Sequence, residues 1–246
     1  MQGTFLGPKF SNDEVETVLR KNKLVFKKVS DEEIFKLTAA EMKDQKTVGW
    51  FQGRMEFGSR ALGNRSILAD ARSADMQKKL NLKIKFRESF RPFAPALLEE
   101  DVPIWFDMNQ PSPYMLFLAQ LHQNKKLEIS VQQQSFSGIK KLDVIRSEIP
   151  AVTHVDCSSR IQSVNEKFNP KFHSLLTEFK KITGCSVAIN TSFNVRGEPI
   201  ACTPEDAIRC FLGTDLDLLV IENFVLFKKD QPQSDSNIYK DHFDLD

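Results

Sequence analysis

Hydrophobic and polar positions along the chain predict a succession of short helices and strands. Three segments carry a serine or threonine followed three residues later by an acidic residue, which is the spacing of a helix capping box. A fourth begins at Asn169-Pro170 and stops at Gly184, residues that favour the two ends of a helix. Apolar residues then recur at helical spacing. The predicted helices begin at Ser11, Ser30, Ser73, Asn169 and Thr203.

Short apolar runs between these helices predict strands. They occupy residues 24–29, 47–51, 65–70, 93–98, 114–121, 151–156, 160–164, 185–190, 216–221 and 224–227. Because helices and strands mix without strict βαβ alternation, the predicted fold class is α+β, with a twisted, mixed or mostly antiparallel sheet and helices packed on it. Polar, glutamine-rich residues 123–148 predict a mobile loop or an insertion. We expect a single domain over residues 1–228 and a loosely held polar tail at residues 229–246.

The composition is that of an ordinary globular protein, with 41% hydrophobic and 27% charged residues in a chain of 246. No apolar run approaches the ~20 residues that span a bilayer, which argues against a membrane protein. The first residues lack the charged start and apolar stretch of a secretory signal, so we expect a cytoplasmic protein. The four cysteines have no CxxC spacing, and we expect reduced core residues rather than disulfides or zinc ligands.

Positive charge is concentrated in residues 52–93. This segment holds six arginines and four lysines against four carboxylates, a local charge of +6, whereas the whole chain carries only +1. Glycines and phenylalanines lie between the arginines, and a guanidinium can grip phosphate or carboxylate through two parallel hydrogen bonds. The pattern favours a pocket for a polyanion. Two other interpretations fit the same charges: a solvated face with structural ion pairs, and a surface that binds nucleic acid.

Two tripeptides place further polar groups where they could meet a ligand. In Lys85-Phe86-Arg87, an extended backbone would put both cations on one face and the phenylalanine on the other. Ser192-Phe193-Asn194 follows the buried strand predicted at residues 185–190, and the same alternation would bring a hydroxyl and an amide together. Cations and oriented hydrogen bonds together suit the phosphate chain of a nucleotide, although neither tripeptide specifies a function alone.

Four longer motifs resemble a known family. The segments GWFQGRMEFGSRALGNRSILAD, RESFRPFAPALL, PAVTHVDCSSRIQSV and AINTSFNVRGEPIACTPEDAI are similar to the C-terminal domain of the O-carbamoyltransferases, which include nodulation proteins and antibiotic carbamoyltransferases of the cephamycin and tobramycin types. The motifs occur in the family's order and cover most of residues 47–221. In that family the domain is similar to the fold of threonylcarbamoyl-AMP synthases, so the resemblance implies a YrdC-like fold.

The resemblance also implies a reaction: the domain binds ATP and carbamoyl phosphate and forms carbamoyladenylate with release of pyrophosphate, while Mg²⁺ bridges phosphates. The YrdC-like signature KxR…SxN gives the expected catalytic residues as Lys85, Arg87, Ser192 and Asn194. Arg60 and Arg160 are expected, together with Lys85, to hold phosphates or the carbamoyl group. The full set of expected nucleotide contacts is Arg54, Arg60, Arg65, Arg160, Asn190 and Thr191. No protein metal site is expected.

The sequence departs from the family pattern in three respects. Ser59 stands where the family usually has proline, and Cys157 where it usually has glycine. The family's other half, a Kae1-like domain with a histidine-rich metal site that transfers the carbamoyl group to an acceptor hydroxyl, has no counterpart before residue 52. We therefore expect either an excised domain or a protein that acts with a Kae1-like domain or subunit, and no membrane partner. The alternatives are an RNA-binding or other nucleic-acid-binding YrdC-like module, which is less favoured, and a nucleotide-binding partner subunit without turnover.

Overall fold

A mixed sheet of eight strands organises the part of the chain that the structure describes, residues 3–232 of a computed structural model. In chain order the strands are β1 (Lys27–Lys28), β2 (Val48–Phe51), β3 (Arg65–Asp70), β4 (Ala94–Leu98), β5 (Leu118–Gln120), β6 (Ser158–Arg160), β7 (Gln162–Val164), β8 (Ala188–Ser192), β9 (Leu218–Ile221) and β10 (Phe224–Phe227). The sheet runs β1-β10-β9-β2-β3-β8-β4-β7, and β5 and β6 form a separate antiparallel pair. Within the sheet, β2–β9 and β4–β7 are parallel and the other pairs are antiparallel. The predicted mixed sheet is confirmed.

Four of the five predicted helices begin at the caps that the sequence predicts, whereas the helix predicted from Ser73 begins at Met76 without a side-chain cap. Ser11, Ser30 and Thr203 each accept a hydrogen bond from the backbone N–H three residues later, and the acidic side chain there accepts one from the cap residue's own N–H. Gly184 has φ 76° and ends the helix that precedes it, since glycine adopts this left-handed conformation without strain. The α-helices within the described residues are α1 (Asn12–Lys21), α2 (Asp31–Lys43), α3 (Met76–Lys83), α4 (Val102–Trp105), α5 (Val131–Gln134), α6 (Pro170–Thr183) and α7 (Pro204–Gly213).

Neighbouring residues of the central strands contribute to two different cores, one on each face of the sheet. One core joins the sheet to α2 and α6 through the buried side chains of Trp50, Leu68, Ala188 and Val220. The other joins it to α1, α3 and α7 through Phe51, Ile67, Ile189 and Ile221. Because side chains alternate along a strand, Asn190 and Ser192 share the face of β8 that carries Ala188. This face is therefore apolar beneath the helices and polar at the end of β8.

Three predicted strands differ from the observed elements. Of residues 114–121 only Leu118–Gln120 forms a strand and Leu121 makes an isolated bridge with Phe106, because Met115 has φ 54° and interrupts the extended backbone. Pro150–Val152 forms a 3₁₀ turn where residues 151–156 were predicted to be extended. Residues 24–29 pair only at β1. Several apolar side chains in these segments, among them Val25, Leu116 and Val155, are exposed, so an apolar run is not sufficient to identify a buried strand.

Two further segments differ in detail from their predicted structure. The strand predicted at residues 185–190 is displaced toward its end: β8 continues to Ser192 because it pairs with β3. The polar segment 123–148 contains α5 and a 3₁₀ turn at Gly138–Asp143, and Lys125 Nζ lies 3.0 Å from Glu148 Oε2 across its base. Residues 233–246 of the predicted tail lie outside the described residues. Within residues 3–232, no helix has the length and apolar character needed to cross a membrane.

Candidate functional site

The lysine of the KxR tripeptide is buried against the SxN tripeptide. After α3 the chain turns at Phe86, whose φ of 49° rules out the extended backbone considered for this tripeptide. Lys85 Nζ donates to Asn194 O and Asn194 Oδ1 at 2.8 Å each, lies 3.2 Å from Ser192 Oγ and also donates to Ser192 O. The structure therefore brings Lys85, Ser192 and Asn194 into one cluster.

Short hydrogen bonds fix the SxN tripeptide in place. Ser192 is the last residue of β8 and pairs with Ser66 of β3. Its Oγ donates to Asn194 Oδ1 at 2.6 Å, and Asn194 Nδ2 donates to Glu198 O at 2.6 Å. Strand pairing, the following loop and the lysine thus hold the hydroxyl and the amide in fixed directions. Preorganised polar groups of this kind are typical of sites that stabilise charge.

Burial determines the charge of Lys85. Desolvation lowers the pKa of its ammonium group to about 7, while electrostatic interaction with Cys210 raises the pKa, the Arg87 charge lowers it and Glu198 raises it. The oxygen atoms around Nζ accept hydrogen bonds, so they favour the protonated form. Near neutral pH the cluster is therefore close to the titration point of its lysine.

Arg87, the fourth residue of the tetrad, makes its contacts outside this cluster. Its Nε donates to Asn81 Oδ1 at 2.6 Å, and its guanidinium lies 5.0 Å from the centroid of the Phe93 ring. Burial, followed by the positive charge of Arg91, lowers the pKa of Arg87 to about 10. The side chain is only half-buried, so its other N–H groups could still reach a ligand.

Arg65 has a structural environment that differs from the nucleotide contact predicted for it. The side chain is fully buried, and it lies 3.5 Å from the centroid of the Phe51 ring. Burial lowers its pKa to about 10. Because a buried guanidinium requires acceptors, it closes the arginine-rich loop onto the sheet. It donates at 2.9–3.2 Å to the backbone carbonyls of Pro8, Gln52, Gly53 and Asn64.

Two other predicted arginines interact electrostatically with each other. Arg60 is exposed in the loop between β2 and β3, and Arg160 is half-buried on β6. Burial lowers the pKa of Arg160, and the positive charge of Arg60 lowers it further. A bound anion would relieve the repulsion between these two cations. Arg54, by contrast, is exposed and donates to Gly7 O at 3.2 Å.

Glu56 holds the loop that carries Arg60. It is buried, and the sequence did not predict it as a site residue. Its Oε1 collects three backbone hydrogen bonds at 2.6, 2.7 and 3.2 Å, from the N–H groups of Leu62, Asn64 and Arg65. A carboxylate bound in this way fixes the backbone around it, so Glu56 positions the arginine loop without needing to contact a ligand.

Buried amides connect this loop to the polar end of the sheet face. Asn190 Nδ2 donates to Gln162 Oε1 at 2.6 Å and to Ala61 O at 3.2 Å, while Gln162 Nε2 donates to Leu62 O at 2.8 Å. Thr191 is half-buried and points to the opposite face of β8. Gln162 was not predicted, because its partners lie 28 and 100 positions away in the chain. In the sequence, the place of Gln162 in the motif that contains Arg160 is the feature that points to a role in the site.

A cleft of about 600 Å³ opens between the start of α3, the loop that follows α3 and residues 139–155. This volume lies within the range of small-molecule sites, roughly 300–1,000 Å³. Burial lowers the pKa of His154 in its wall, while the Asp156 charge raises it and the Arg160 charge lowers it, so the imidazole is neutral at pH 7. Other lining residues are Lys78, Ser89, Phe90 and Arg146.

Sequence comparison identifies the family. The profile described as Carbamoyltransferase C-terminus matches residues 39–228, and the chain belongs to this family. It is 51% identical to the uncharacterized protein sll1178 of Synechocystis sp., over 100% of this chain and 40% of that protein. It is also 41% identical to nodulation protein NolO of Bradyrhizobium diazoefficiens, over 74% of this chain and 30% of NolO. It is 40% identical to nodulation protein U of Sinorhizobium fredii, over 71% of this chain and 26% of that protein. The family resemblance expected from the motifs is confirmed, and the chain spans 40% or less of each of these relatives.

A solved structure shares the fold. It is the crystal structure of full-length HypF in the phosphate- and nucleotide-bound form, which matches 77% of this chain and 25% of that chain with a TM-score of 0.50. Sequence identity is 17%, so the likeness shows the fold alone. It confirms the α+β, YrdC-like fold class that the motifs implied.

Proposed function

We propose that this chain is the adenylating part of a carbamoyltransferase. In the proposed reaction, water displaces inorganic phosphate from carbamoyl phosphate, and an oxygen of the resulting carbamate attacks the α-phosphorus of ATP. The bond from the α-phosphorus to its bridging oxygen breaks, so carbamoyladenylate forms and pyrophosphate leaves. The observation that carries this proposal is the contact of Lys85 with Ser192 and Asn194 in a member of the carbamoyltransferase family.

Arg60 and Arg160 are the proposed phosphate-binding residues. They are close enough for the charge of one to lower the pKa of the other, and both retain exposed surface. Contacts of this kind to developing charge contribute on the order of 2–4 kcal/mol each to catalysis. We place the rest of the nucleotide in the cleft beside His154, which none of these site residues lines but whose His154 lies close enough to Arg160 for the Arg160 charge to lower the His154 pKa.

Ser192 and Asn194 are the proposed polar contacts to the reacting groups, and Lys85 positions them. The sequence led us to expect that Lys85 holds a phosphate or the carbamoyl group directly. Its Nζ is instead enclosed by oxygen atoms of the SxN tripeptide, and the side chain is buried. A positively charged lysine in this place fixes the hydroxyl and amide for the ligand and adds long-range positive potential.

The proposed chemistry requires little acid–base catalysis, because the attacking carbamate oxygen is already anionic. Positioning of the two substrates and stabilisation of charge supply most of the rate enhancement. Mg²⁺ would neutralise charge between phosphates. Among residues 3–232 no group of three His, Cys, Asp or Glu side chains is placed to hold a metal, so phosphate oxygens and water would provide most of its ligands.

Transfer of the carbamoyl group to an acceptor hydroxyl requires a further component in this proposal. The chain spans 40% or less of the three relatives described above. We propose that a Kae1-like domain or subunit receives the carbamoyladenylate and carries out the transfer, and that this component selects the acceptor.

Release of pyrophosphate from ATP, measured with and without carbamoyl phosphate, tests the proposal. We expect release that depends on carbamoyl phosphate and falls about 100-fold in Arg160→Met. Arg20→Met is the matched control, because Arg20 lies on the surface of α1 and pairs with Glu16. Absence of both pyrophosphate release and ATP binding in the wild type would overturn the proposal. ATP binding without turnover, restored by a Kae1-like partner, would support a nucleotide-binding partner subunit instead.

A further inference from the structure

Two buried side-chain amides have orientations that the backbone determines. Leu62 O is a carbonyl and can only accept, so the Gln162 atom 2.8 Å from it is Nε2 and the other is the acceptor Oε1. Asn190 presents one amide atom to Gln162 Oε1 at 2.6 Å and to Ala61 O at 3.2 Å. Both neighbours are acceptors, so this atom is Nδ2. Reversing either amide would bring two acceptors together.

The remaining atom of this chain of hydrogen bonds is therefore an acceptor. Asn190 Oδ1 is buried and has no hydrogen-bond partner among the described residues. A buried acceptor without a donor is unfavourable, and the great majority of such groups in folded proteins are paired. Asn190 shares its face of β8 with Ser192, and it contacts Ala61, the residue after Arg60. Asn190 thus lies between the proposed phosphate-binding loop and the SxN tripeptide.

We infer that Asn190 Oδ1 accepts a hydrogen bond from the NH₂ group of the carbamoyl substrate and so selects carbamoyl over acyl groups that lack this donor. The inference rests on the proposed function and assigns a specificity role within that site. The carbamoyl NH₂ supplies the N–H donor that the oxygen lacks. Gln162 positions the amide by fixing Nδ2, so Oδ1 keeps its direction.

Access to Asn190 Oδ1 requires movement of the neighbouring loop, since the atom has no exposed surface. Only the exposed tip of this loop, residues 57–60 and the adjoining Ala61, would have to move, because Glu56 Oε1 holds the backbone N–H groups of Leu62, Asn64 and Arg65 in place.

The test compares carbamoyl phosphate with acetyl phosphate, in which a methyl group replaces the NH₂ group. Acetyl phosphate hydrolyses to acetate, which can attack ATP and release pyrophosphate by the same route. We expect wild-type kcat/KM for pyrophosphate release to favour carbamoyl phosphate by about 100-fold or more, because an acetyl group leaves Asn190 Oδ1 unpaired. In Asn190→Leu this ratio should fall at least about 10-fold.

Ser186→Ala is the matched control. Ser186 Oγ is also buried without a partner among the described residues, yet it lies before β8 and away from the polar end of that strand. Its removal should leave the substrate ratio unchanged. A structural role for Asn190 would lower both activities equally in Asn190→Leu, and that result would overturn the inference.

The wild-type measurement keeps the inference testable if Asn190→Leu does not fold. Equal use of acetyl phosphate and carbamoyl phosphate by the wild type would refute the selection role while leaving adenylation intact. Absence of pyrophosphate release with either compound would refute the proposed function itself, and the inference with it. The two failures are therefore distinguished by one assay.

Discussion

At the scale of single residues, Lys85 couples folding to pH. Burial lowers its pKa to about 7 from an ordinary value of 10.5. Between these pH values the unfolded chain binds a proton that the folded chain has released, so the free energy of unfolding contributed by this residue rises with pH. Lys85→Met has no such titration. We expect the stability of the wild type relative to Lys85→Met to increase from about pH 7 to about pH 10.

Urea unfolding of both proteins at about pH 7, 8.5 and 10 measures this difference. Lys43→Met makes the same chemical change at an exposed position of α2, and its stability relative to the wild type should not change over this range. An equally constant difference for Lys85→Met would contradict the coupling, and would mean that the lysine stays protonated in the folded chain over this range.

Cys157 occupies a backbone conformation that suits glycine. Its φ is 62°, in the left-handed region where L-residues lose about 1–2 kcal/mol. The resemblance to the family places glycine at this position. Cys157→Gly should therefore stay within about 1 kcal/mol of the wild type, because relief of strain offsets the greater freedom of the unfolded chain. Cys157→Val should lose about 1–2 kcal/mol, since branching at Cβ increases the strain. Chemical denaturation measures both, and equal stability of the two variants would contradict this explanation.

At the scale of elements, Gly63 allows the arginine loop to pack on α6. Its φ is 104°, and a Cβ atom there would lie 2.2 Å from the Phe172 ring. We expect Gly63→Ala to destabilise the fold by about 2–6 kcal/mol, because backbone strain and overpacking act together. In Gly63→Ala/Phe172→Leu the smaller side chain removes the clash but leaves the strain. Urea unfolding should show that the double variant loses less stability than the sum of the single variants, and strict additivity would contradict the contact.

Local signals explain which elements the sequence predicts well. The helices that begin after Ser11, Ser30 and Thr203 carry their caps within three residues, so their starts can be located without tertiary information. Strands depend on distant partners. β8 reaches Ser192 only because β3 pairs with it over its whole length, and β5 is short because Met115 leaves the extended conformation. Their apolar content is visible in sequence, but their pairing is not.

The residues of the candidate site also differ in how far the sequence predicts them. Resemblance to the family identified Lys85, Ser192 and Asn194, whose contact is a property of the folded chain. The sequence did not predict that Lys85 is buried or that the Arg65 guanidinium donates hydrogen bonds to backbone carbonyls, since both depend on groups brought together by folding. Gln162 acquires its importance only through its contact with Asn190.

At the scale of the whole molecule, the positive segment does not remain a continuous cationic surface after folding. Arg72 lies 2.6 Å from Asp70, Lys79 lies 3.0 Å from Asp217, and Arg91 lies 3.0 Å from Glu88. Arg65 and Lys85 are buried. Most cations of residues 52–93 are therefore paired or buried within the fold. Arg54, Arg60, Lys78 and Lys83 remain exposed, and of these Arg60 acts electrostatically on Arg160, which favours a compact anion at that pair.

This distribution predicts weak binding of nucleic acid. With few cations available to phosphates, single-stranded RNA of about 20 nucleotides should bind with a Kd above roughly 10 µM at about 0.15 M salt. Fluorescence anisotropy over a salt series measures both the affinity and its dependence on salt. A slope of log K against log salt steeper than about −4 would correspond to about six neutralised phosphates, more than Arg160 and the exposed cations of residues 52–93 can provide together. In that case Ser192→Ala should bind RNA as tightly as the wild type, and the surface rather than the SxN cluster would carry the function.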